Sequence, residues 1–319
     1  MRRQVFATLA VACASTVAGC GYNISQADAP AAVEVDNCGE HYALPSAPQR
    51  VVLLKNTATE TLNHLGVLDR VVAKAGAFPA GYFDNELASR VESIPTLTDK
   101  VNAGGHLELS AEEAVAADAD LIVGRTASIT PQTVPGVPVV EEEAFCGGGS
   151  PRPDFIDVYD HVRFYGQLFD RTTEAENYIA DLQNQVSQLP GMSEHPLRVA
   201  VVYPAGGTTY AYGGGSMATT VARYAGGTNV FADVGKRVFD VSMEELVHAN
   251  PDVIVTVSST EEGQSAAVDQ VAGIPGIEAT GAGARGQIHP MLFNHVDPPT
   301  PLAVDGAHQL ASILQEAQS

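Results

Sequence analysis

Gly213-Gly214-Gly215-Ser216-Met217-Ala218 fits the pattern G-x-G-x-x-A, between a strand-like run and a helical one, with Asp233 further downstream. In a dinucleotide fold such glycines let the backbone approach a pyrophosphate at a helix N-terminus. The match stands alone, in the second half of a chain that opens with an export signal, where a nicotinamide cofactor is not expected. The helix start after Ser216 can still face an anionic ligand group. The same residues miss the hydrolase elbow G-x-S-x-G, because Ala218 takes the place of the last glycine. A secreted hydrolase also needs a nucleophile, a base and an orienting acid, and no such set can be assembled from the sequence. The nine histidines are scattered, and none clusters with the spacing of a zinc or manganese site. These residues call for no cofactor, no directly bound metal ion and no enzyme activity.

A different pattern repeats. Leu109-Ser110-Ala111-Glu112-Glu113-Ala114-Val115 leads to Asp120-Leu121-Ile122-Val123, and Val241-Ser242-Met243-Glu244-Glu245-Leu246-Val247 leads to Asp252-Val253-Ile254-Val255. Each Ser is a natural N-cap, and Glu113 or Glu245, three residues on, can close a capping box. Glu112 and Glu244 are then free in the first turns of equivalent helices, where the dipole favours them, pointing to solvent. Dipole compensation explains one such Glu. Repetition at matched places favours a docking role.

Arg2 and Arg3 precede an uncharged, mostly apolar run from Val5 to Ala18, and small residues lead up to Cys20. That layout is a secretory signal, and the run is shorter than the about 20 residues of a membrane span. Val17-Ala18-Gly19-Cys20 also resembles the bacterial lipobox. This implies that residues 1–19 are removed and that lipid on Cys20 holds the chain on the extracytoplasmic face of the cell membrane. The alternative is a secreted chain with Cys20 as an ordinary thiol. The mature body keeps Cys38 and Cys146, which outside the cytoplasm read as a disulfide, the alternative being two separate buried thiols. Residues 20–36, rich in Ala with Asp and Pro, read as a flexible tether. The formal charge is −21, and loss of Arg2 and Arg3 makes the body more acidic still, which argues against nucleic acid and anionic lipid as partners.

From Arg50 onward short apolar runs alternate with helix-starting segments. Strands are expected at Val51-Leu54, Val71-Val72, Leu121-Val123 and Val137-Val140, and Thr57 with Glu60 has the spacing of a capping box opening a helix that stops at Gly66. A segment from about Asp154 to Leu189, broken only at Gly166 and Asp170-Arg171-Thr172, has Tyr178, Ile179, Leu182, Val186 and Leu189 at helical spacing. After Pro190-Gly191 the alternation resumes, with strands at Val199-Tyr203, Val253-Val257 and Ile288 and helices from Ser216 and from about Pro301. The organisation is a first α/β lobe over 37–152, connecting helices over 153–189 and a second α/β lobe over 190–319, each with a mostly parallel sheet.

With these segments in order, the chain resembles the substrate-binding proteins of ABC importers for iron-siderophore complexes, cobalamin and heme. The resemblance rests on Pro48-Gln49-Arg50-Val51-Val52, Glu60-Thr61-Leu62 with Leu65-Gly66, both Ser-x-Glu-Glu segments, Tyr165-Gly166-Gln167-Leu168 and Gly273-Ile274-Pro275-Gly276. It implies two Rossmann-like lobes joined by a long helical crosspiece, with the ligand in the cleft between them. It also implies that one surface carboxylate on each lobe meets basic residues of the permease dimer, and Glu112 and Glu244 match those positions.

In open α/β sheets ligand contacts come from loops at strand ends. The first lobe offers Lys55, Asn56, Thr57, Phe78, Tyr82, Phe83, the segment from Asn102 to His106, and Arg125. The second offers Tyr203, Tyr210, Tyr212, Arg237 and Phe293-Asn294-His295. A chain with no Trp must build an aromatic wall from Tyr and Phe. Ferric siderophores often carry negative charge, and Lys55, Arg125 and Arg237 are the cations suited to oxygen-rich anions. Heme would ask for an axial Tyr or His, for which His106, His295 and Tyr210 are available. The expectation is a monomeric capture lipoprotein for a metal chelate, a ferric siderophore first and cobalamin or heme second.

Overall fold

The structure, a computed structural model, describes residues 32–100, 107–147 and 149–319. The expectations placed on the leader, on Cys20 and on Asn102 to His106 lie outside the described residues.

The described chain opens with a hairpin of β1 (Val33–Asn37) and β2 (Glu40–Leu44). Its turn is Cys38-Gly39, both at positive φ, 53° and 80°, as a two-residue hairpin turn requires. Val33 and Val35 are buried while Glu34 and Asp36 face out, so period-two alternation makes a strand within the stretch read as tether. Cys38 is bonded to Cys146, joining this hairpin to the end of the first lobe.

The first lobe follows with β3 (Val51–Leu53), α1 (Thr59–His64), β4 (Val71–Lys74), α2 (Asn85–Ser93), α3 (Ala111–Ala116), β5 (Leu121–Val123), β6 (Val139–Val140) and the short α4 (Glu143–Cys146). Its sheet runs β4-β3-β5-β6, with every pair parallel. β3 and β5 are buried throughout, as strands covered on both faces must be. The capping box expected from Thr57 and Glu60 does not form. Ala58 is the N-cap without a side-chain bond, and Glu60 turns inward.

Helices α5 (Phe155–Leu168) and α6 (Thr172–Ser187) form the connection. Asp154 caps α5 in a box with Asp157. A Cβ on Gly166 would lie 2.5 Å from Ala175 Cβ, so the glycine lets the two helices pack closely. The second lobe contains β7 (Leu197–Ala205), β8 (Thr208–Tyr212), α7 (Met217–Tyr224), β9 (Gly227–Asn229), β10 (Val238–Asp240), α8 (Met243–Ala249), β11 (Val253–Ser258), α9 (Gly263–Ala272), α10 (Gly281–Arg285), β12 (Ile288–Leu292) and α11 (Leu302–Ala317). Its sheet runs β10-β8-β7-β11-β12, with β9 beside the start of β7. β7, β11 and β12 are parallel, whereas β8 and β10 extend the sheet antiparallel. Tyr210 and Tyr212, expected on a loop, lie on β8, because Gly206-Gly207, both at positive φ, turn the chain back into a hairpin.

The two lobes repeat one unit in detail. Arg50 leads into β3 and donates to Ala117 O and Asp118 O at the end of α3, and Arg198 at the start of β7 donates to Ala249 O and Asn250 O at the end of α8. Asp118 and Asn250 both take left-handed φ, 53° and 43°, ending their helices as αL residues do. Asp120 accepts from the backbone of Gln49 and Arg50, and Asp252 from that of Arg198.

One continuous apolar core runs from Leu53 and Leu62 through Val162 and Ile179 to Val255 and Leu314. At the connection α1, α6 and α11 converge, and His64 stacks on Tyr178 at 3.7 Å between ring centroids. Glu60 Oε2 and Tyr178 Oη are sealed from solvent there, without a hydrogen-bond partner among the described residues. Burial, with Asp305 and Asp84 nearby, pushes the Glu60 carboxyl up from 4.5 to about 8, while burial also raises Asp305. Glu60 holds its proton more tightly folded than unfolded, so its contribution to stability is complete below pH 4.5. That contribution is lost as pH rises through about 8. Between about pH 5 and about pH 8 the wild type should lose on the order of 3 kcal/mol relative to Glu60→Gln, read as urea denaturation midpoints at each pH. Parallel pH profiles for the two proteins would refute the buried protonated carboxyl.

Candidate functional site

Parallel strands bring their C-terminal ends to one edge, and in both lobes that edge carries charge. After β3 comes Lys55, after β5 Arg125 and after β6 Glu141. The Glu141 side chain is only 4% exposed and ion-pairs with Lys55. It also accepts from Arg125 N at 2.9 Å and from Glu142 N at 2.9 Å. In the second lobe the carboxylate of Asp297, 1% exposed, ion-pairs with Arg237. It accepts from Ser216 Oγ at 2.8 Å and Met217 N at 3.1 Å. Each lobe thus holds one part-exposed cation on one buried carboxylate.

Phe145, on α4, lies between these pairs. Lys55 Nζ is 4.4 Å and Arg237 Cζ 4.9 Å from its ring centroid, both within cation–π reach, and Phe293 stacks 6.5 Å away. The lobes also meet directly. Asn294 N donates to Tyr82 Oη at 2.9 Å, the Asn294 side-chain amide bonds Asn56, and Tyr82 stands edge-on to His295 at 5.1 Å.

The structure brings Lys55, Arg237 and Phe293, all part-exposed, together around Phe145, with Asn56 bonded to Asn294 nearby. Arg125 joins them through its backbone N–H to Glu141, while its guanidinium lies by the Tyr42 hydroxyl. Tyr203 and Tyr210 pair across β7 and β8, half-buried, with Tyr203 Oη 3.5 Å from Ser259 Oγ. Phe78 packs against the first-lobe core, 5.9 Å from Lys74 Nζ. Thr57, Tyr82, Tyr212 and His295 were expected as contacts and are buried instead. Burial pushes the Tyr82 phenol well up and the His295 imidazole down to about 4. Tyr82 and His295 lock the lobes together, and Tyr212 packs toward Phe293. Sequence reasoning missed Phe145 and the two carboxylates. Phe145 sits on a four-residue helix with no periodicity to mark it, and the partners of Glu141 and Asp297 are distant in sequence.

The glycine run serves packing. A Cβ at Gly213 or Gly214 would collide with the carbonyls of Val234, Lys236 and Ala232, so these glycines admit the 232–237 loop that carries Arg237. The start of α7, expected to face an anionic ligand group, is occupied by Asp297 of the chain itself. Both Ser-x-Glu-Glu segments form the expected boxes. Glu113 N donates to Ser110 Oγ at 3.2 Å and Ser110 N to Glu113 Oε2 at 2.9 Å, and Ser242 with Glu245 repeats this at 3.1 and 2.9 Å. Those backbone bonds hold Glu113 and Glu245 below the usual carboxylate range. Glu112 and Glu244 are left exposed beside them.

The family model for periplasmic binding proteins matches residues 51–291, covering both sheets and the connecting helices. The chain belongs to the periplasmic binding protein family. It is 36% identical to a structure described as an ABC-type Fe3+-hydroxamate transport system from Saccharomonospora viridis, over 88% of this chain and 98% of that one, with a TM-score of 0.81. A cobalamin-binding protein of Halobacterium salinarum is 27% identical over 290 residues, 88% of this chain and 73% of that protein. The periplasmic heme-binding protein RhuT from Roseiflexus sp. RS-1 shares the fold at 21% identity and a TM-score of 0.67, over 85% and 99% of the two chains.

Periplasmic binding proteins of this kind bind a small solute outside the cytoplasm for an ABC importer and are not enzymes. Among the described residues no helix is long and apolar enough to cross a membrane. An acid–base–hydroxyl chain does exist in this one: Glu142 Oε2 lies 2.9 Å from His161 Nδ1, and His161 Nε2 lies 3.0 Å from Thr61 Oγ1. Thr61 is wholly buried in α1, so no substrate reaches its hydroxyl. Burial acts to raise Glu142, but His161 and Thr57 outweigh it and hold the carboxyl below its ordinary range. Beside this pair, between α4 and α5, lies a cavity of about 140 Å³ lined by Glu141, Glu143, Asp157, Asp160 and Tyr165 among others. Lys55, Arg125 and Arg237 do not line it, and among the described residues no three or more acidic, His or Cys side chains converge as a metal site.

Breaking a buried ion pair from one side leaves an uncompensated charge. Because Arg237 is part-exposed and can be solvated, Asp297→Ala should cost chiefly through the stranded Ser216 and Met217 donors, about 2–3 kcal/mol of folding free energy, measured by urea denaturation. A loss below about 1 kcal/mol would mean that Asp297 does not anchor Arg237 and α7.

Proposed function

We propose that this periplasmic binding protein captures a ferric siderophore between its lobes and delivers it to an ABC permease dimer, working as a monomer held at the membrane by lipid on Cys20. The observation that carries the ligand reading is the pair of cations, Lys55 and Arg237, one from each lobe, held part-exposed against the Phe145 ring. Cations from both lobes at one place suit an oxygen-rich anionic chelate held between them. The likeness to the Fe3+-hydroxamate transport protein supports the same reading.

Cobalamin is the second reading, favoured by the cobalamin-binding relative. Heme is less favoured, because His295, one of its candidate axial ligands, is buried against Tyr82.

Spectra and mass of material co-purifying with the mature protein, then tyrosine-fluorescence titration with a ferric trihydroxamate, cyanocobalamin and hemin, test the assignment. The trihydroxamate should bind at micromolar concentration or below, and Arg237→Lys, which keeps a cation on Asp297 and loses the guanidinium fork, should weaken it about tenfold, the worth of a charged hydrogen bond. Failure of all three to bind the wild type would end the chelate reading.

For docking, α3 and α8 precede β5 and β11 and run back along them, so their N-termini lie toward the strand ends that form the cleft. Glu112 and Glu244 are therefore offered at the rim of each lobe. Glu112→Ala with Glu244→Ala should lower chelate uptake by cells at least tenfold while the purified protein keeps its affinity. An unchanged uptake rate would remove the docking role.

A further inference from the structure

The hairpin of β1 and β2 grips the segment that carries Phe145 at successive points. Asn37 Nδ2 donates to Glu141 O at 2.9 Å, and its Oδ1 accepts from Glu141 N at 2.8 Å. Tyr42 Oη donates to Val139 O at 2.7 Å. Cys38, next to Asn37, is bonded to Cys146, next to Phe145, with Cα atoms 5.7 Å apart. Helix α4 has four residues and no side-chain N-cap, too short to hold a helical shape unaided. The position of Phe145 therefore comes from these anchors.

What they position is an aromatic ring, half-buried and contacted by a cation from each lobe. A bare Phe face carries negative quadrupole and repels an electron-rich ring laid on it. Cations drawn to the ring offset that repulsion and add direct attraction for anionic donors. We propose that Phe145 is a specificity-determining residue of the cleft, selecting chelates whose donors are anionic aromatic rings, and that the Cys38–Cys146 bond holds it there. This rests on the chelate reading and goes further, since that reading asks only for cations.

The test compares a ferric tricatecholate with a ferric trihydroxamate by titration. Phe145→Leu keeps apolar bulk and loses the ring. It should weaken the tricatecholate about tenfold more than the trihydroxamate, whose retained binding shows that the cleft is intact. Equal losses, no loss, or a wild type that binds only the trihydroxamate overturns the selectivity role while the chelate reading stands. A wild type that binds neither overturns the chelate reading itself. For the second clause, Phe145→Trp introduces the sole Trp of the chain, which has none. Adding Cys38→Ser with Cys146→Ser should move its emission maximum to the red, while a Trp introduced at Phe239, packed on Phe231 in the second lobe, stays put. An unmoved Phe145→Trp emission would show that the disulfide does not hold the ring.

Discussion

A charge can be buried only beside its opposite, and two carboxylates buried by this rule fix the cleft. Glu141 and Asp297, one from each lobe, are nearly without solvent exposure. Each gathers backbone or hydroxyl donors together with a cation. Lys55 and Arg237 are consequently held at about a third of full exposure. Arg125 differs, because Glu141 takes its backbone N–H while its guanidinium turns to the Tyr42 hydroxyl. A chain this acidic overall still holds a part-exposed base from each lobe at the cleft, since its buried acids are what secure them.

The carboxylates depend on what lies behind them. Glu141 sits at the end of a two-residue strand, and its backbone is clasped by Asn37 from the hairpin. Asp297 follows a turn against which α11 packs so closely that a Cβ on Gly306 would overlap His295 O. Both arrangements put a rigid backbone under a charged side chain, so cleft geometry depends on packing far from the ligand. Tyr82, Asn56 and Asn294 then fasten the lobes across the cleft itself.

The repeat pattern made most of the scaffold legible. Ser110 and Ser242, each followed by two glutamates and then a strand of apolar residues, announce both helices and both core strands, because caps and buried strands are local in sequence. Helices α5, α6, α7 and α11 follow from periodicity and capping in the same way. The failures share a cause. Thr57 and Tyr212 look like loop or edge residues, yet lie in packing whose other half is distant in the chain. Glu60 sits at capping-box spacing but meets Tyr178 and Asp305 from two other helices, and tertiary burial overrides the local option. The strand β1 was hidden by a composition that suggested a tether, although Val33 and Val35 alternate with acids.

The lobes are alike where they need only fold and unlike where they need to discriminate. Arg50 with Asp118 and Arg198 with Asn250 close the same helix on the same strand, so α3 and α8 carry Glu112 and Glu244 in matching positions. At the cleft the match is abandoned. The first lobe contributes a purely parallel sheet and a disulfide-linked segment bearing an aromatic, while the second adds antiparallel β8 and β10, with Tyr210 on β8 paired to Tyr203 on β7. A small asymmetric solute can be held in one orientation only by walls that differ. The departure from the repeat is therefore concentrated where the two lobes face each other, and Phe145, Glu141 and Asp297, which shape that face, are the residues least visible in the sequence.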